Sequence, residues 1–150
     1  MCVRLAQTDK EIQACFRVMQ ELRTALQETE FVPKIRQLEE TGYSLAYLTQ
    51  DEKIVAVAGF RLGESLAWKR YLYVDDLVTL HRERSKGYGA TLLNWLKEFA
   101  VQAGCEQLHL DSGVQRKDAH RFYEREAMQR TSYHYAISLH QPELQLTSKR

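Results

Sequence analysis

The chain lacks the features that define several protein classes. It has no apolar stretch long enough for a signal peptide or a membrane span. Its three cysteines form no Cys-x-x-Cys pair, and its formal net charge is only +1. A nearly balanced charge gives no general attraction to nucleic acid or to an anionic membrane. We therefore predict a cytoplasmic protein with no membrane or nucleic-acid partner, whose thiols pack as small apolar groups rather than acting as nucleophiles.

A length of 150 residues fits one compact domain, and the sequence contains no internal repeat or linker. We predict a single domain over residues 1–150, with residues 141–150 as a flexible tail.

The spacing of apolar residues predicts a mixed α/β fold. A capping box, Thr8 with Glu11, predicts the start of the first helix, and a crossover helix after Leu80 implies at least one parallel strand pair. In chain order we predict a strand at Val3 and Leu5, a helix over 8–26, a helix over 31–41 with Pro33 in its first turn, strands over 43–48 and 54–60, a turn near 63–65, a strand over 71–80, a helix over 90–103, a strand at Leu108 and Leu110, a helix over 117–126 and a strand over 133–139.

A glycine-containing loop, residues 84–89, lies between a predicted buried strand and the start of a helix. Backbone amides at such a position have no helical partner and favour anions, and Gly87 and Gly89 allow the close approach of a ligand. The spacing is neither that of a Walker loop nor that of a Rossmann fingerprint, which disfavours ATP and NAD. A pyrophosphate site and a simple glycine turn with exposed basic residues both remain open at this point.

Two motifs together resemble the GNAT superfamily of N-acetyltransferases. Arg84-x-x-Gly87-x-Gly89 is similar to the family's Arg/Gln-x-x-Gly-x-Gly/Ala signature, and residues 119–125 resemble its Ala-x-x-Phe-Tyr helix. The resemblance implies a mixed, mostly antiparallel sheet with a splayed parallel strand pair, flanked by about four helices. Arg116 stands where many relatives carry asparagine, and Ala127 replaces the usual glycine after the last helix.

The resemblance also implies acetyl-coenzyme A as co-substrate, without a metal. The pantetheine arm would pair with the backbone of the strand before the loop, which is opened there by a bulge and a splay. The implied coenzyme-binding residues are Leu77, Val78, Thr79, Arg84, Ser85, Lys86, Gly87, Tyr88, Gly89, Ala90, Arg116, Ala119 and Phe122.

Amine acetylation needs a proton acceptor for the ammonium and a proton donor for the leaving thiolate. The resemblance places Tyr123 near the coenzyme sulfur, and a phenol is a suitable donor, although packing on its helix face would also explain it. Asp75 and Asp76 are candidate bases or amine-binding groups. Because side chains alternate along a strand, we expect only one of them to face the substrate, and we favour Asp76. Further candidates for the acceptor site are Asp111, Ser112 and His120.

The sequence does not identify the acceptor, which we expect to be a small-molecule or peptide amine. One alternative is a GNAT-fold domain that binds an acyl-coenzyme A as a sensor without turnover. Another is a nucleic-acid binder that uses Arg82, Arg84 and Lys86, which the balanced charge disfavours. A homodimer is possible, since two-fold dimers are the commonest assemblies.

Overall fold

The computed structural model of the chain describes residues 1–140. These residues form two compact units, Met1–Leu110 and a second unit that begins at Asp111. The predicted tail over 141–150 lies outside the described residues. Within the described part of the chain, no helix is both long enough and apolar enough to cross a bilayer.

The first unit is built on one five-stranded sheet in which the strands are neighbours in chain order. The first four strands pair antiparallel, and the last two pair parallel. The predicted mixed, mostly antiparallel sheet is therefore confirmed. The strands are β1 (Cys2–Leu5), β2 (Tyr43–Gln50), β3 (Lys53–Ser65), β4 (Lys69–Thr79) and β5 (Gln107–Leu110).

Helices cover both faces of this sheet. The helices of the first unit are α1 (Asp9–Ala14), α2 (Phe16–Leu22), α3 (Glu28–Glu39) and α4 (Tyr88–Gln102), with a 3-10 turn at His81–Glu83. The first three helices share a buried cluster with alternate residues of β2, Tyr43, Leu45 and Tyr47. The rings of Trp95 and Phe99 on α4 pack against Phe60 on β3. The sheet is thus the middle of three layers, and little of it meets water.

The predicted capping box is confirmed at the start of α1. The Thr8 hydroxyl accepts a hydrogen bond from the Glu11 amide at 3.1 Å, and the Glu11 carboxylate accepts one from the Thr8 amide at 2.9 Å. The predicted helix over 8–26 is broken at Cys15, which joins α1 to α2. Burial raises the pKa of Cys15 to about 12, so this thiol stays protonated at neutral pH.

Other predicted boundaries are wrong. The helix predicted to reach residue 26 ends at Leu22. Helix α3 begins at Glu28, so Pro33 lies inside the helix rather than in its first turn. In the first turn, a proline would lose no helical hydrogen bond, because amides there have no acceptor within the helix. At its actual position Pro33 removes one helical hydrogen bond. Strand β3 continues through the predicted turn near 63–65 to Ser65, because pairing with β4 extends to Ser65 opposite Lys69.

The second unit contains α5 (Lys117–Arg125), as predicted. Ala127 follows it with φ +68°, and the Met128 amide donates to the Tyr123 carbonyl at 3.0 Å. This is a Schellman end with alanine at the left-handed position that glycine usually occupies.

The predicted strand over 133–139 is wrong for the described residues, which have no regular structure there. The apolar residues of the alternating pattern, Tyr133, Tyr135, Ile137 and Leu139, are all 80% exposed or more. Alternation sorts side chains between two faces, but ladder hydrogen bonds require a neighbouring strand.

Candidate active site

The loop after β4 exposes a run of backbone donors. Ser85 and Gly87 have left-handed φ values of +66° and +84°, and Gly87 begins α4 without any side-chain cap. Thr91 is the first residue of α4 whose amide reaches a helical acceptor, the Gly87 carbonyl at 3.0 Å. Among residues 1–140, no acceptor receives the amides of residues 85–90. Such a concave run of amides at a helix N-terminus suits a phosphate-bearing ligand.

Glycine at position 87 is favoured by conformation rather than by crowding. A Cβ built there meets no atom within 4 Å. The left-handed φ makes any L-residue unfavourable, while the surrounding space remains open for a ligand.

Glu83, which the sequence analysis missed, neutralises one of the positive charges of the loop. Lys86 Nζ lies 2.7 Å from a Glu83 carboxylate oxygen. Glu83 holds the pKa of Lys86 above its ordinary value, and Lys86 lowers the pKa of Glu83. Arg84 is exposed beside this pair. The loop therefore carries one compensated cation and one exposed cation.

A β-bulge lies in β4 at the acidic pair. Val74 is opposite Phe60 and Asp76 is opposite Gly59, so Asp75 is an extra residue without a counterpart on β3. A bulge of this kind disrupts the ladder locally and redirects side chains. The resemblance implied a bulge before the glycine loop, and the structure has one at Asp75.

The bulge turns both carboxylates to one face of the sheet. Asp76 accepts hydrogen bonds from Arg23 and Tyr43, and Asp75 accepts one from Arg61, at 2.7–2.8 Å. Tyr43 and Arg61 are directly opposite each other on β2 and β3, so their side chains lie on the same face. Simple alternation would put the two carboxylates on opposite faces, but the extra residue breaks the alternation. Which aspartate faces the substrate stays a prediction.

The two aspartates differ in how many of their carboxylate oxygens have a hydrogen-bond partner. Both oxygens of Asp76 have partners, since Arg23 Nε is 2.8 Å from Oδ1 and the Tyr43 hydroxyl donates to Oδ2 at 2.8 Å. Asp75 uses Oδ2 for Arg61, and its Oδ1 has no partner among residues 1–140. Its side chain is 27% exposed, against 13% for Asp76.

Tyr43 fixes the position of Asp76. Its ring is 4% exposed, and burial, followed by the charge of Asp76, raises its pKa well above the ordinary value. A Cβ at Gly59 would lie 1.7 Å from the Tyr43 hydroxyl oxygen. Glycine at position 59 therefore leaves the space in which the tyrosine reaches across β3 to Asp76. Arg23, Tyr43 and Arg61 were missed by sequence reasoning, because nothing local links them to residues far along the chain.

Only the N-terminal part of β4 is paired with β5. Pairing of β4 with β5 ends at Val74 opposite Leu110, whereas β4 continues to Thr79. On that edge, no strand of the described first unit pairs with the residues 75–79, which include Leu77, Val78 and Thr79. The Asp75 carbonyl accepts a hydrogen bond from Arg23 Nη2 at 2.9 Å. The backbone groups of residues 76–79 that do not face β3 can be satisfied only by a ligand, by water or by chain outside the sheet. The splay that the resemblance implied stays a prediction, because β5 is paired with β4 over its whole length.

The second unit carries the remaining predicted residues. On α5, the rings of Phe122 and Tyr123 are 5.3 Å apart, and Ala119 lies one turn earlier on the helix. Burial raises the pKa of Tyr123, and the charge of Arg116 opposes that shift. The Tyr123 hydroxyl thus remains protonated through the neutral range.

The predicted acceptor-site residues form contacts of their own within the second unit. His120 Nε2 lies 2.7 Å from the Gly113 carbonyl oxygen, and the buried Ser112 hydroxyl has no partner among the described residues. His134 Nδ1 lies 3.4 Å from Asp111 Oδ1, a pair that sequence reasoning did not identify. No group of three or more potential metal ligands occurs within residues 1–140.

The first unit is thus an α/β sheet in which an uncapped glycine loop follows a bulged strand, a geometry that suits a phosphate-bearing ligand. Comparison with known proteins identifies the family. Residues 7–127 match the Acetyltransferase (GNAT) family. The uncharacterised N-acetyltransferase YhdJ of Bacillus subtilis is 38% identical over 109 residues, 72% of this chain and 77% of that protein.

Two further proteins are similar to this chain. The aminoalkylphosphonate N-acetyltransferase of Salmonella typhimurium is 38% identical over 66 residues, which cover 44% of this chain and 43% of that protein. The structure of an aminoglycoside N-acetyltransferase in complex with CoA superimposes with a TM-score of 0.80 at 10% identity, covering 93% of this chain and 94% of that one.

The chain therefore belongs to the GNAT family and is an N-acetyltransferase.

Proposed function

We propose that the protein transfers the acetyl group of acetyl-CoA to a primary amine by direct attack of the amine on the thioester. One observation carries this proposal. The part of β4 that does not pair with β5 is followed along the chain by residues 85–90, whose amides have no acceptor within residues 1–140. Enzymes of this family use acetyl-CoA. The loop offers amides to a diphosphate, and the β4 edge beyond Val74 offers backbone groups to a pantetheine arm.

The direction of the arm follows from the order of these features along β4. The loop comes after the C-terminal end of the strand, and the bulge lies at the other end of the open edge. A coenzyme anchored at the loop would therefore bring its thioester end toward Asp75 and Asp76. Resemblance to the family adds Arg116, Ala119 and Phe122 to the coenzyme site and Asp111, Ser112 and His120 to the acceptor site.

We assign different roles to the two aspartates. Asp76, which the sequence pattern favoured as the base, has both oxygens engaged and holds the bulge in shape. Asp75 has one oxygen available to accept a hydrogen bond from the acceptor ammonium and to take its proton, directly or through water. With matched folding, Asp75→Asn is expected to lower kcat more than Asp76→Asn does, as measured by thiol release from acetyl-CoA. Equal losses would contradict this division.

Tyr123 is assigned the proton for the departing thiolate. Its raised pKa keeps the phenol protonated, which suits a donor. Tyr123→Phe is expected to lower kcat about 100-fold, within the range usual for general acid catalysis, with little change in coenzyme affinity.

The test measures free thiol released from acetyl-CoA across a panel of amines, alongside calorimetry with CoA. Tyr133→Phe, which removes an exposed hydroxyl in the same unit, is the matched control and should keep wild-type kcat. An unchanged kcat in Tyr123→Phe would remove its role. Tight coenzyme binding without thiol release on any amine would instead favour the acyl-CoA sensor.

A further inference from the structure

Arg61 is a guanidinium held by two of its three nitrogens. Its Nε donates to Asp75 Oδ2 at 2.7 Å, and its Nη1 donates to the Thr41 carbonyl and hydroxyl at 3.1 and 3.3 Å. The guanidinium carbon also lies 5.5 Å from the centre of the Tyr43 ring. Its Nη2 donates to no residue in the part of the chain that the structure describes, and the side chain is 32% exposed. The two Nη2 hydrogens are therefore preorganised donors for a ligand.

The charges around the bulge balance. Two carboxylates, Asp75 and Asp76, are paired with two guanidiniums, Arg61 and Arg23. A polycationic acceptor would find no excess negative charge here, and each added ammonium would compete with an arginine. A molecule with one charge of each sign matches the site, because its ammonium can approach Asp75 Oδ1 while its anion approaches the arginine.

The spacing sets the size of that molecule. Arg61 and Asp75 are in direct contact, so the open Oδ1 and the open Nη2 belong to the same ion pair. An acceptor that reaches both must join its amine and its anion by a short chain.

We infer that Arg61 binds an anionic group of the acceptor, and that the acceptor is a short molecule carrying both a primary amine and a carboxylate or phosphonate. This inference rests on the proposed acetyl transfer. It makes Arg61 a specificity-determining residue, since Nη2 keeps a charge-assisted donor for one oxygen of a carboxylate or a phosphonate.

The experiment compares kcat and KM for 2-aminoethylphosphonate, β-alanine and ethanolamine in the intact protein. Ethanolamine has the same amine with a neutral hydroxyl at the other end. We expect kcat/KM to be at least about tenfold higher for an anionic acceptor than for ethanolamine, through a lower KM. Phosphonate and carboxylate are separated by which of the two probes shows the larger advantage.

Arg61→Gln should raise KM about tenfold or more for the preferred anionic acceptor, and at least tenfold more than it does for ethanolamine. Arg61→Lys keeps the charge and should recover part of the loss. Arg36→Gln, which breaks an ion pair with Asp9 on α1 and one with Glu39 on α3, is the matched control and should leave all three KM values unchanged. Calorimetry with CoA confirms that each variant is folded and binds the coenzyme.

The outcomes separate the two claims. Turnover of neutral and anionic amines with equal kcat/KM, or an equal KM increase for both in Arg61→Gln, overturns this inference and leaves the proposed acetyl transfer standing. Failure of the wild-type protein to acetylate any amine overturns both.

Discussion

The bulge in β4 and the glycine loop after it present their polar groups in different ways. At the bulge, Asp75, Asp76, Arg23 and Arg61 are charged side chains that pair with one another. In the loop, the donors are main-chain amides, and residues 85–90 find no acceptor within the described chain. Partly buried charges need partners to persist in a fold, whereas amides at a helix terminus can remain open to water. The contrast teaches that the bulge is organised by its own side chains, whereas the loop keeps donors available for the coenzyme that we propose.

The largest effect is expected from a substitution that puts a negative charge in the glycine loop. Gly87→Asp should lower the affinity for CoA about 100-fold, because a carboxylate would face the diphosphate at close range. Aspartate tolerates the left-handed φ of +84° better than most residues, so folding should survive. Calorimetry with CoA measures the loss.

Gly42→Asp is the control for that substitution. Gly42 also has a positive φ, +101°, and also leaves open space around a built Cβ. Its variant should bind CoA as the wild type does. Equal losses in the two variants would show that the effect is general destabilisation rather than repulsion in the loop.

A smaller effect is expected from a substitution that displaces Tyr43 from Asp76 at the bulge. Gly59→Ala places a Cβ 1.7 Å from the Tyr43 hydroxyl oxygen, and the buried ring has no room to withdraw. The free energy of unfolding should fall by about 1–3 kcal/mol, as is usual for overpacking. Urea denaturation measures the change.

Gly63→Ala offers a matched comparison on the same strand. Its Cβ would meet the Tyr71 hydroxyl at 2.5 Å, but that ring is only half-buried and can move aside. It should therefore cost clearly less than Gly59→Ala. If both variants lose the same free energy, Tyr43 is not held as tightly as the contacts indicate.

The smallest effect sharpens the contrast by relaxing the loop itself. Ser85 has φ +66°, which is unfavourable for a residue with a Cβ. Ser85→Gly should raise the free energy of unfolding by less than about 1 kcal/mol, because the gain in the folded loop is partly offset by greater freedom of the unfolded chain. Arg84→Gly, at an ordinary φ of −70°, should give no gain in the same denaturation experiment. A loss on Ser85→Gly would contradict the proposed strain.

Local patterns predicted most of the fold. The Thr8 and Glu11 pair marked the start of α1, and the stripe of Leu92, Leu93 and Leu96 marked the buried face of α4. Failures came where a neighbour decides the outcome. The alternation over 133–139 was insufficient for a strand, and the end of β3 depended on how far β4 pairs with it.

The candidate site divides in the same way. The glycine loop was predictable, because a short motif between a strand and a helix determines the directions of its own amides. The environment of Asp75 and Asp76 was not, because Arg23 and Tyr43 come from distant segments and the bulge depends on pairing with β3. Arg116, Ala119 and Phe122 remain predictions from the family resemblance.

The sequence by itself determined most elements of the sheet, the position of the glycine loop and the family to which the chain belongs, since each depends on residues close together in the chain. Only the tertiary structure decided which aspartate keeps an open oxygen, that both carboxylates share one face, and that Arg61 presents unused donors beside them. Those properties depend on strand register and on side chains brought together from far apart, and no local spacing encodes them.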